Sequence, residues 1–163
     1  MITGVYAGSF DPITRGHQDI IERALHFMDR LIIVVMNNPK KTYWFELDER
    51  KELIKKVFGD NKKVEIKEYA GLLVEFMEKN DTQIIVKGVR DMKDFSEEMV
   101  YSFANRELSN GKVDTILIPS SKDYTYVSST FVKEVAFYNQ DLKRYVDKRI
   151  EKDILDRAKK YRG

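Results

Sequence analysis

The sequence predicts an α/β protein with a single doubly wound, Rossmann-like domain. We expect a parallel sheet of about five strands with helices on both faces. Strand-like and helix-like segments alternate along the whole chain, as in βαβ units. Residues 31–36 and 84–86 are continuously apolar, as expected of strands that are buried on both faces of a parallel sheet. The length of 163 residues fits one domain, residues 1–163, with a sizeable core.

Each element follows from its apolar spacing and its flanking residues. Strands are predicted at residues 2–7, 31–36, 64–69, 84–86 and 115–118. Helices are predicted from Gln18, at 47–58, at 72–79, at 95–108 and from the Ser128-Ser129-Thr130 cluster. Gly59 and Asn80 end two of these helices. The helix at 95–108 should carry Phe95, Met99 and Phe103 on one side. The tail from Leu142 has helical periodicity, and we expect its helices to pack on the domain.

The composition excludes several classes of protein. Twenty-nine basic and 27 acidic residues leave a net charge of +2, which is too weak a field to favour a nucleic-acid or membrane partner. Without cysteine there is no disulfide, thiolate metal site or thiol nucleophile. No basic leader precedes the first strand, and no apolar run approaches the ~18 residues of a membrane span. We therefore expect a cytoplasmic chain.

The segment that joins the first strand to the first helix, residues 8–17, reads G-S-F-D-P-I-T-R-G-H. Gly8 lets the main chain approach a ligand closely, and Ser9 offers a hydroxyl. Asp11 and Pro12 form a turn. His17, in the first helical turn, would face an anion bound at the helix N-terminus. The alternative is a plain strand-to-helix turn with a capping histidine.

Four segments follow predicted strands and should converge on one crevice at the carboxyl ends of the sheet. They are residues 8–17, 37–41, 87–90 and 122–130. Together they hold one histidine, several cations, hydroxyls and two helix N-termini. These groups suit the binding of a polyphosphate better than the cleavage of a bond by a nucleophile.

Other chemistries lack their motifs. Neither G-x-x-x-x-G-K-(S/T) nor a G-x-G-x-x-G after the first strand occurs. Ser9 and His17 have no G-x-S-x-G elbow, which argues against an acyl-enzyme. The second histidine, His26, lies off its helix's apolar stripe, so we expect it in solvent and expect no metal site in the protein. Taken alone, Lys40-Lys41 reads as a solvated charge pair and Ser128-Ser129-Thr130 as a helix N-cap.

A family resemblance runs through nearly the whole chain. Residues 9–17 resemble the (T/S)-x-D-P-x-x-x-G-H signature of adenylyl- and cytidylyltransferases. Residues 121–134, S-K-D-Y-T-Y-V-S-S-T-F-V-K-E, are similar to the second signature of bacterial phosphopantetheine adenylyltransferases. The resemblance implies in-line transfer of AMP from ATP to 4'-phosphopantetheine, giving dephospho-coenzyme A and pyrophosphate without a covalent enzyme intermediate. It also implies Mg²⁺ bound with ATP, and a homohexamer.

The resemblance assigns roles to particular residues. The catalytic residues would be His17, Lys41 and Arg90. Acceptor contacts would come from Ser9, Lys41, Leu73 and Lys87. ATP contacts would come from Ser9, Phe10, His17, Gly88, Val89, Arg90, Glu98, Tyr124, Thr125, Tyr126, Val127, Ser128, Ser129 and Thr130. The chain departs from the family at Lys87, where an arginine is usual, because a lysine lacks the bidentate fork of a guanidinium.

Two rival hypotheses stay open at this point. One is a sibling transferase that shares the first motif but acts on nicotinate mononucleotide, or on a small alcohol phosphate with CTP. Lys41, Leu73 and the long second signature favour phosphopantetheine. The other is a non-catalytic nucleotide sensor or nucleic-acid binder, suggested only by the basic tail. The amphipathic pattern of that tail favours a packed or subunit-contacting helix instead.

Overall fold

The computed structural model describes all 163 residues and confirms the predicted fold class. Five strands form one parallel sheet. The elements in chain order are β1 (Thr3–Gly8), α1 (Arg15–Ala24), β2 (Arg30–Met36), α2 (Leu47–Phe58), β3 (Val64–Tyr69), α3 (Leu73–Lys79), β4 (Ile84–Val89), α4 (Met92–Leu108), β5 (Asp114–Pro119), a 3₁₀ turn (Lys122–Tyr124), α5 (Ser129–Phe137) and α6 (Lys148–Arg162). None of these helices combines the length and apolar character that a membrane span requires.

The strand order β3-β2-β1-β4-β5 places the reversal of the sheet between β1 and β4. Tyr6 of β1 pairs with Ile33 of β2 on one side and with Val86 of β4 on the other. In open α/β sheets, ligands bind where the strand order reverses, at the carboxyl ends of the strands. The topology therefore brings the segments that follow β1 and β4 to a shared crevice.

The two faces of the sheet carry separate apolar clusters, as alternation along buried strands requires. On one face, a cluster of 25 buried residues joins side chains of the strands to those of α1, α2, α5 and α6. On the other face, a cluster of eight buried residues includes Phe76 and Met77 of α3. Helices thus cover both faces, as predicted.

Several predicted boundaries are wrong, and hydrogen bonding explains most of them. Helix α1 begins at Arg15, three residues before Gln18, because the Thr14 side chain caps it. Helix α4 begins at Met92 because Asp91 caps it. Strand β4 continues to Val89, so the predicted 87–90 loop is mostly strand.

The tail was predicted to be helical from Leu142, but a helix begins only at Lys148 because Asp147 caps it. Leu142 and Val146 are nevertheless fully buried, in the turn before that helix. Helix α6 itself packs on α5 and α2.

The apolar residues predicted to share one side of α4 do not form part of the core. Phe95 is 37% exposed and Phe103 is 63% exposed, and no residue of this helix is buried. Most apolar side chains of α4 are therefore exposed.

Candidate active site

A cavity of about 380 Å³ lies at the carboxyl ends of β1 and β4. Eleven of the predicted site residues line it. They are Phe10, His17, Lys41, Lys87, Gly88, Arg90, Glu98, Tyr124, Val127, Ser128 and Ser129. All four predicted segments therefore reach one crevice.

Six predicted residues do not line the cavity. Val89 is buried in β4, and Leu73 packs against the apolar cluster of α3. The Ser9 carbonyl accepts a hydrogen bond from Arg50. Thr125, Tyr126 and Thr130 are exposed around the start of α5. The second histidine, His26, is exposed after the end of α1.

His17 is held in one orientation by the turn before it. The backbone N–H of Thr14 donates to Nδ1 of His17 at 3.0 Å, so Nδ1 must be an acceptor and the ring hydrogen lies on Nε2. Burial, together with the positive charge of Arg90, lowers the pKa of His17 from 6.5 to about 4. At neutral pH the side chain is therefore an uncharged N–H donor at the cavity wall.

Two of the cavity cations are paired with carboxylates of α4. Arg90 donates from Nε to Asp94 at 2.7 Å, and Lys87 Nζ lies 3.1 Å from Glu98 Oε1. The hydrogen bond with Asp94 raises the pKa of Arg90, and the same contact lowers the pKa of Asp94. Because Asp94 and Glu98 are four residues apart on one helix, α4 holds both cations at the end of β4.

Lys41 reaches the cavity from the β2–α2 loop, residues 37–46. Its side chain is exposed and forms no ion pair, in contrast with Lys87 and Arg90. A free ammonium on a loop at the cavity rim suits an incoming phosphate.

The N-terminus of α5 forms another part of the cavity wall. The Ser128 hydroxyl accepts from the Phe131 N–H at 3.0 Å, so this residue is indeed an N-cap. The Ser129 hydroxyl donates to the Pro12 carbonyl at 2.7 Å. The second signature is thereby tied to the first, and the first-turn amides of α5 can receive an anion.

Asp11 of the first motif connects three segments. Its buried carboxylate accepts the backbone N–H groups of Trp44 and Phe45, each at 2.9 Å, and pairs with Lys133 of α5 at 3.1 Å. Its role therefore extends beyond the turn that its Asp-Pro sequence predicts.

Several residues of the site were not predicted. Asp94, Tyr6, Thr14 and Ser120 line the cavity, and Arg50 is buried beneath the loops. The i,i+4 spacing of Arg90 and Asp94 is a signal that could have found this pair. Nothing in the local sequence distinguishes Arg50 from a solvated residue on α2.

The fold and the crevice define a nucleotidyltransferase-type site, in which a helix N-terminus, a neutral histidine and several cations surround a polyphosphate-sized cavity.

Comparisons with known proteins agree with this class. The family model described as cytidylyltransferase-like matches residues 5–135. The phosphopantetheine adenylyltransferase of Fusobacterium nucleatum is 68% identical over 163 residues, covering 100% of both chains. That of Clostridium perfringens strain 13 is 42% identical, covering 100% of this chain and 99% of its own. The chain belongs to the phosphopantetheine adenylyltransferase family, within the cytidylyltransferase-like proteins.

Solved structures agree on the fold. A Plasmodium falciparum nicotinic acid mononucleotide adenylyltransferase complexed with NaAD superposes with a TM-score of 0.68 over 98% of this chain and 95% of its own. Its complex with APC gives 0.67 over 98% and 94%. The sequence identities are 16% and 15%, so the likeness extends to the fold alone.

Proposed function

We propose that the protein transfers the adenylyl group of ATP to 4'-phosphopantetheine, releasing pyrophosphate and dephospho-coenzyme A. The observation that carries the proposal is the placement of His17, Lys41, Lys87 and Arg90 around one cavity with the start of α5. This arrangement offers N–H donors and positive charge to phosphates on every side. We take 4'-phosphopantetheine as the acceptor because the similar proteins are named phosphopantetheine adenylyltransferases.

The reaction needs positioning and charge stabilisation more than covalent help from the protein. An oxygen of the acceptor phosphate attacks the α-phosphorus of ATP, and the bond from that phosphorus to the bridging oxygen breaks. His17 would donate from Nε2 to the α-phosphate oxygens as charge builds on them. Lys41, Lys87 and Ser9 would hold the acceptor phosphate, and Arg90 with the α5 N-terminus would hold the leaving pyrophosphate.

The remaining proposed contacts surround these phosphates. Leu73 would contact the pantetheine arm. ATP would also contact Phe10, Gly88, Glu98, Tyr124, Val127, Ser128 and Ser129 in the cavity wall, and Val89, Thr125, Tyr126 and Thr130 beside it. We also place the reaction in the cytoplasm, where ATP is available.

Magnesium would enter this site as part of the ATP complex. The cavity carboxylates Asp94 and Glu98 are each engaged with a cation, and no group of three His, Cys, Asp or Glu side chains is placed to hold a metal ion. The residues present therefore do not form a cage for Mg²⁺, which commonly binds through substrate phosphates and water.

We further propose that copies of the chain assemble through α4, in the homohexamer that the family resemblance suggests. Val100, Tyr101 and Phe103 are each more than 60% exposed, and Met92 and Leu108 extend the same helix. Several exposed apolar side chains on one helix are typical of a protein–protein contact.

The decisive experiment is an acceptor panel with ATP and Mg²⁺, followed by pyrophosphate release and chromatography of the nucleotide product. We expect release with 4'-phosphopantetheine and none with pantetheine, which lacks the attacking phosphate. Nicotinate mononucleotide and CTP test the sibling reactions. Release with nicotinate mononucleotide and not with phosphopantetheine would overturn the assignment of the acceptor.

A further inference from the structure

Arg50 of α2 is a buried arginine without a carboxylate partner. Its exposed fraction is 0%, and it is among the largest fully buried side chains of the protein. Guanidinium groups remain charged in proteins, and a buried charge needs an extensive set of partners. Arg50 forms no ion pair, so its partners are neutral oxygens and an aromatic ring.

Four hydrogen bonds join this guanidinium to separate parts of the chain. Nη1 donates to the carbonyl of Ser9 at 2.8 Å and to that of Met36 at 3.0 Å. Nη2 donates to Asn37 Oδ1 at 3.1 Å, and Nε donates to the carbonyl of Phe45 at 3.1 Å. One side chain thus links the end of β2, the turn after β1 and the residue that precedes α2 by two positions.

These bonds grip the β2–α2 loop at both ends, because Asn37 and Phe45 bracket it. Within the loop, the Asn38 N–H donates to the Tyr43 hydroxyl at 2.8 Å, and the Lys41 N–H donates to the Asn38 carbonyl at 3.0 Å. The Tyr43 ring lies 4.0 Å from Cζ of Arg50. The loop is therefore a closed turn docked on the guanidinium, with Lys41 at its outer side.

We propose that Arg50 is a positioning residue, which fixes the Lys41 loop relative to the Ser9 turn and so sets the geometry of the acceptor-phosphate side of the cavity. This inference rests on the proposed function for its kinetic consequence. The planar fork is essential to it, since a lysine offers three donors from one nitrogen and cannot reach oxygens on opposite edges of a guanidinium. Misplacement of a positioning group by about 1 Å can cost about a hundredfold in rate.

The kinetic test uses Arg50→Lys, which retains the charge and loses the fork. We expect its KM for phosphopantetheine to rise about tenfold or more, with the KM for ATP close to that of wild type. The matched control is Ile54→Val, one helical turn further along α2, which alters a fully buried side chain away from the loop. It should leave both KM values unchanged even where it lowers the melting temperature.

A second test needs no activity. Trp44, the only tryptophan, lies in the loop, so its fluorescence reports on loop docking, and hydrogen exchange at the Asn38 and Lys41 amides reports on the closed turn. Arg50→Lys should shift the fluorescence and speed this exchange, whereas Ile54→Val should change neither. Addition of guanidinium to Arg50→Ala, at concentrations too low to unfold the protein, should restore slow exchange.

The two proposals fail in different ways. If wild type releases no pyrophosphate with phosphopantetheine, the proposed function is wrong, and the exchange experiment still tests the anchoring of the loop. If Arg50→Lys folds and has wild-type KM values and loop exchange, Arg50 serves stability alone and the inference is overturned.

Discussion

The backbone N–H of Thr14 donates to Nδ1 of His17 across 3.0 Å, and the Thr14 hydroxyl in turn accepts the backbone N–H of His17 at 3.3 Å. This reciprocal capping box places the histidine at the third residue of α1. It also fixes the tautomer, so the same short turn starts the helix and prepares the Nε2 donor of the site.

We therefore expect His17 to stay neutral well below pH 6.5. The variant His26→Ala leaves His17 as the sole histidine, since the chain has two, and makes its imidazole resonances unambiguous. Long-range proton–nitrogen NMR spectra should show the hydrogen on Nε2, with no titration between pH 8 and pH 5.5, because the pKa is lowered to about 4. A midpoint near 6.5 would contradict the neutral-donor assignment.

The same lowered pKa makes stability depend on pH. The unfolded chain takes up a proton near pH 6.5, which folded His17 binds only near its pKa of about 4. Its contribution to the free energy of unfolding is thus complete above about pH 6.5 and declines as the pH falls toward 4. The free energy of unfolding, measured with urea, should fall less between pH 7 and pH 5 for His17→Gln than for wild type. Equal losses in the two proteins would contradict the shift.

For catalysis, His17→Ala should reduce kcat by about a hundred- to a thousandfold, because a donor aimed at developing charge acts mainly in the transition state. The dissociation constant of ATP, measured by calorimetry, should change little. Turnover close to wild type would remove His17 from the mechanism.

The strands and the crevice could be predicted from the sequence because each is marked by a local pattern of residues. Apolar runs mark β2 and β4, and the turn chemistry around Asp11 and Gly16 marks the step from strand to helix. The positions of His17 and of the segments after β1, β2 and β4 follow from the parallel topology. These features could be predicted without knowing which side chains are in contact.

Other features depend on contacts between distant segments. Arg50 has the polar character of a solvated helix residue, yet its donors meet carbonyls of the β1 turn and the β2–α2 loop. The apolar spacing in α4 indicates that Phe103 is more stable away from water. It does not indicate whether the side chain packs in its own domain or against another copy of the chain. The pairing of Lys87 with Glu98 likewise depends on where α4 lies against β4.

Lys41 provides a test of which loop serves the acceptor. Lys41→Ala should raise the KM for phosphopantetheine by about tenfold to a hundredfold, the range for loss of a charged hydrogen bond, with little effect on ATP binding. Its neighbour Lys40 is exposed on the same loop and does not line the cavity, so Lys40→Ala is the matched control. If Lys41→Ala weakened only the binding of ATP, this loop would bind ATP and not the acceptor.

The exposed side of α4 leads to a prediction about assembly. Phe103→Glu should shift the protein to smaller species in sedimentation velocity, because a buried carboxylate at an apolar contact is costly. Tyr138→Glu is the control, since Tyr138 is an aromatic residue of similar exposure, 66%, that lies outside α4. An unchanged sedimentation coefficient for Phe103→Glu would exclude this surface as the contact.

The last prediction concerns Lys87, where the family usually has arginine. Its ammonium lies 3.1 Å from Glu98 Oε1 and lines the cavity, so an incoming phosphate can share a charge that is already held in place. Lys87→Ala should raise the KM for phosphopantetheine markedly, while Lys87→Arg should retain most activity because a guanidinium keeps the charge and can also bind phosphate.

Lys67 of β3 offers a matched control, since this strand lysine pairs with Glu65 at 3.2 Å and does not line the cavity. Kinetics of Lys67→Ala should equal wild type for both substrates. If Lys87→Ala is equally silent, phosphate binding in this chain does not use Lys87, and the role of the family's arginine has passed to another cation of the crevice.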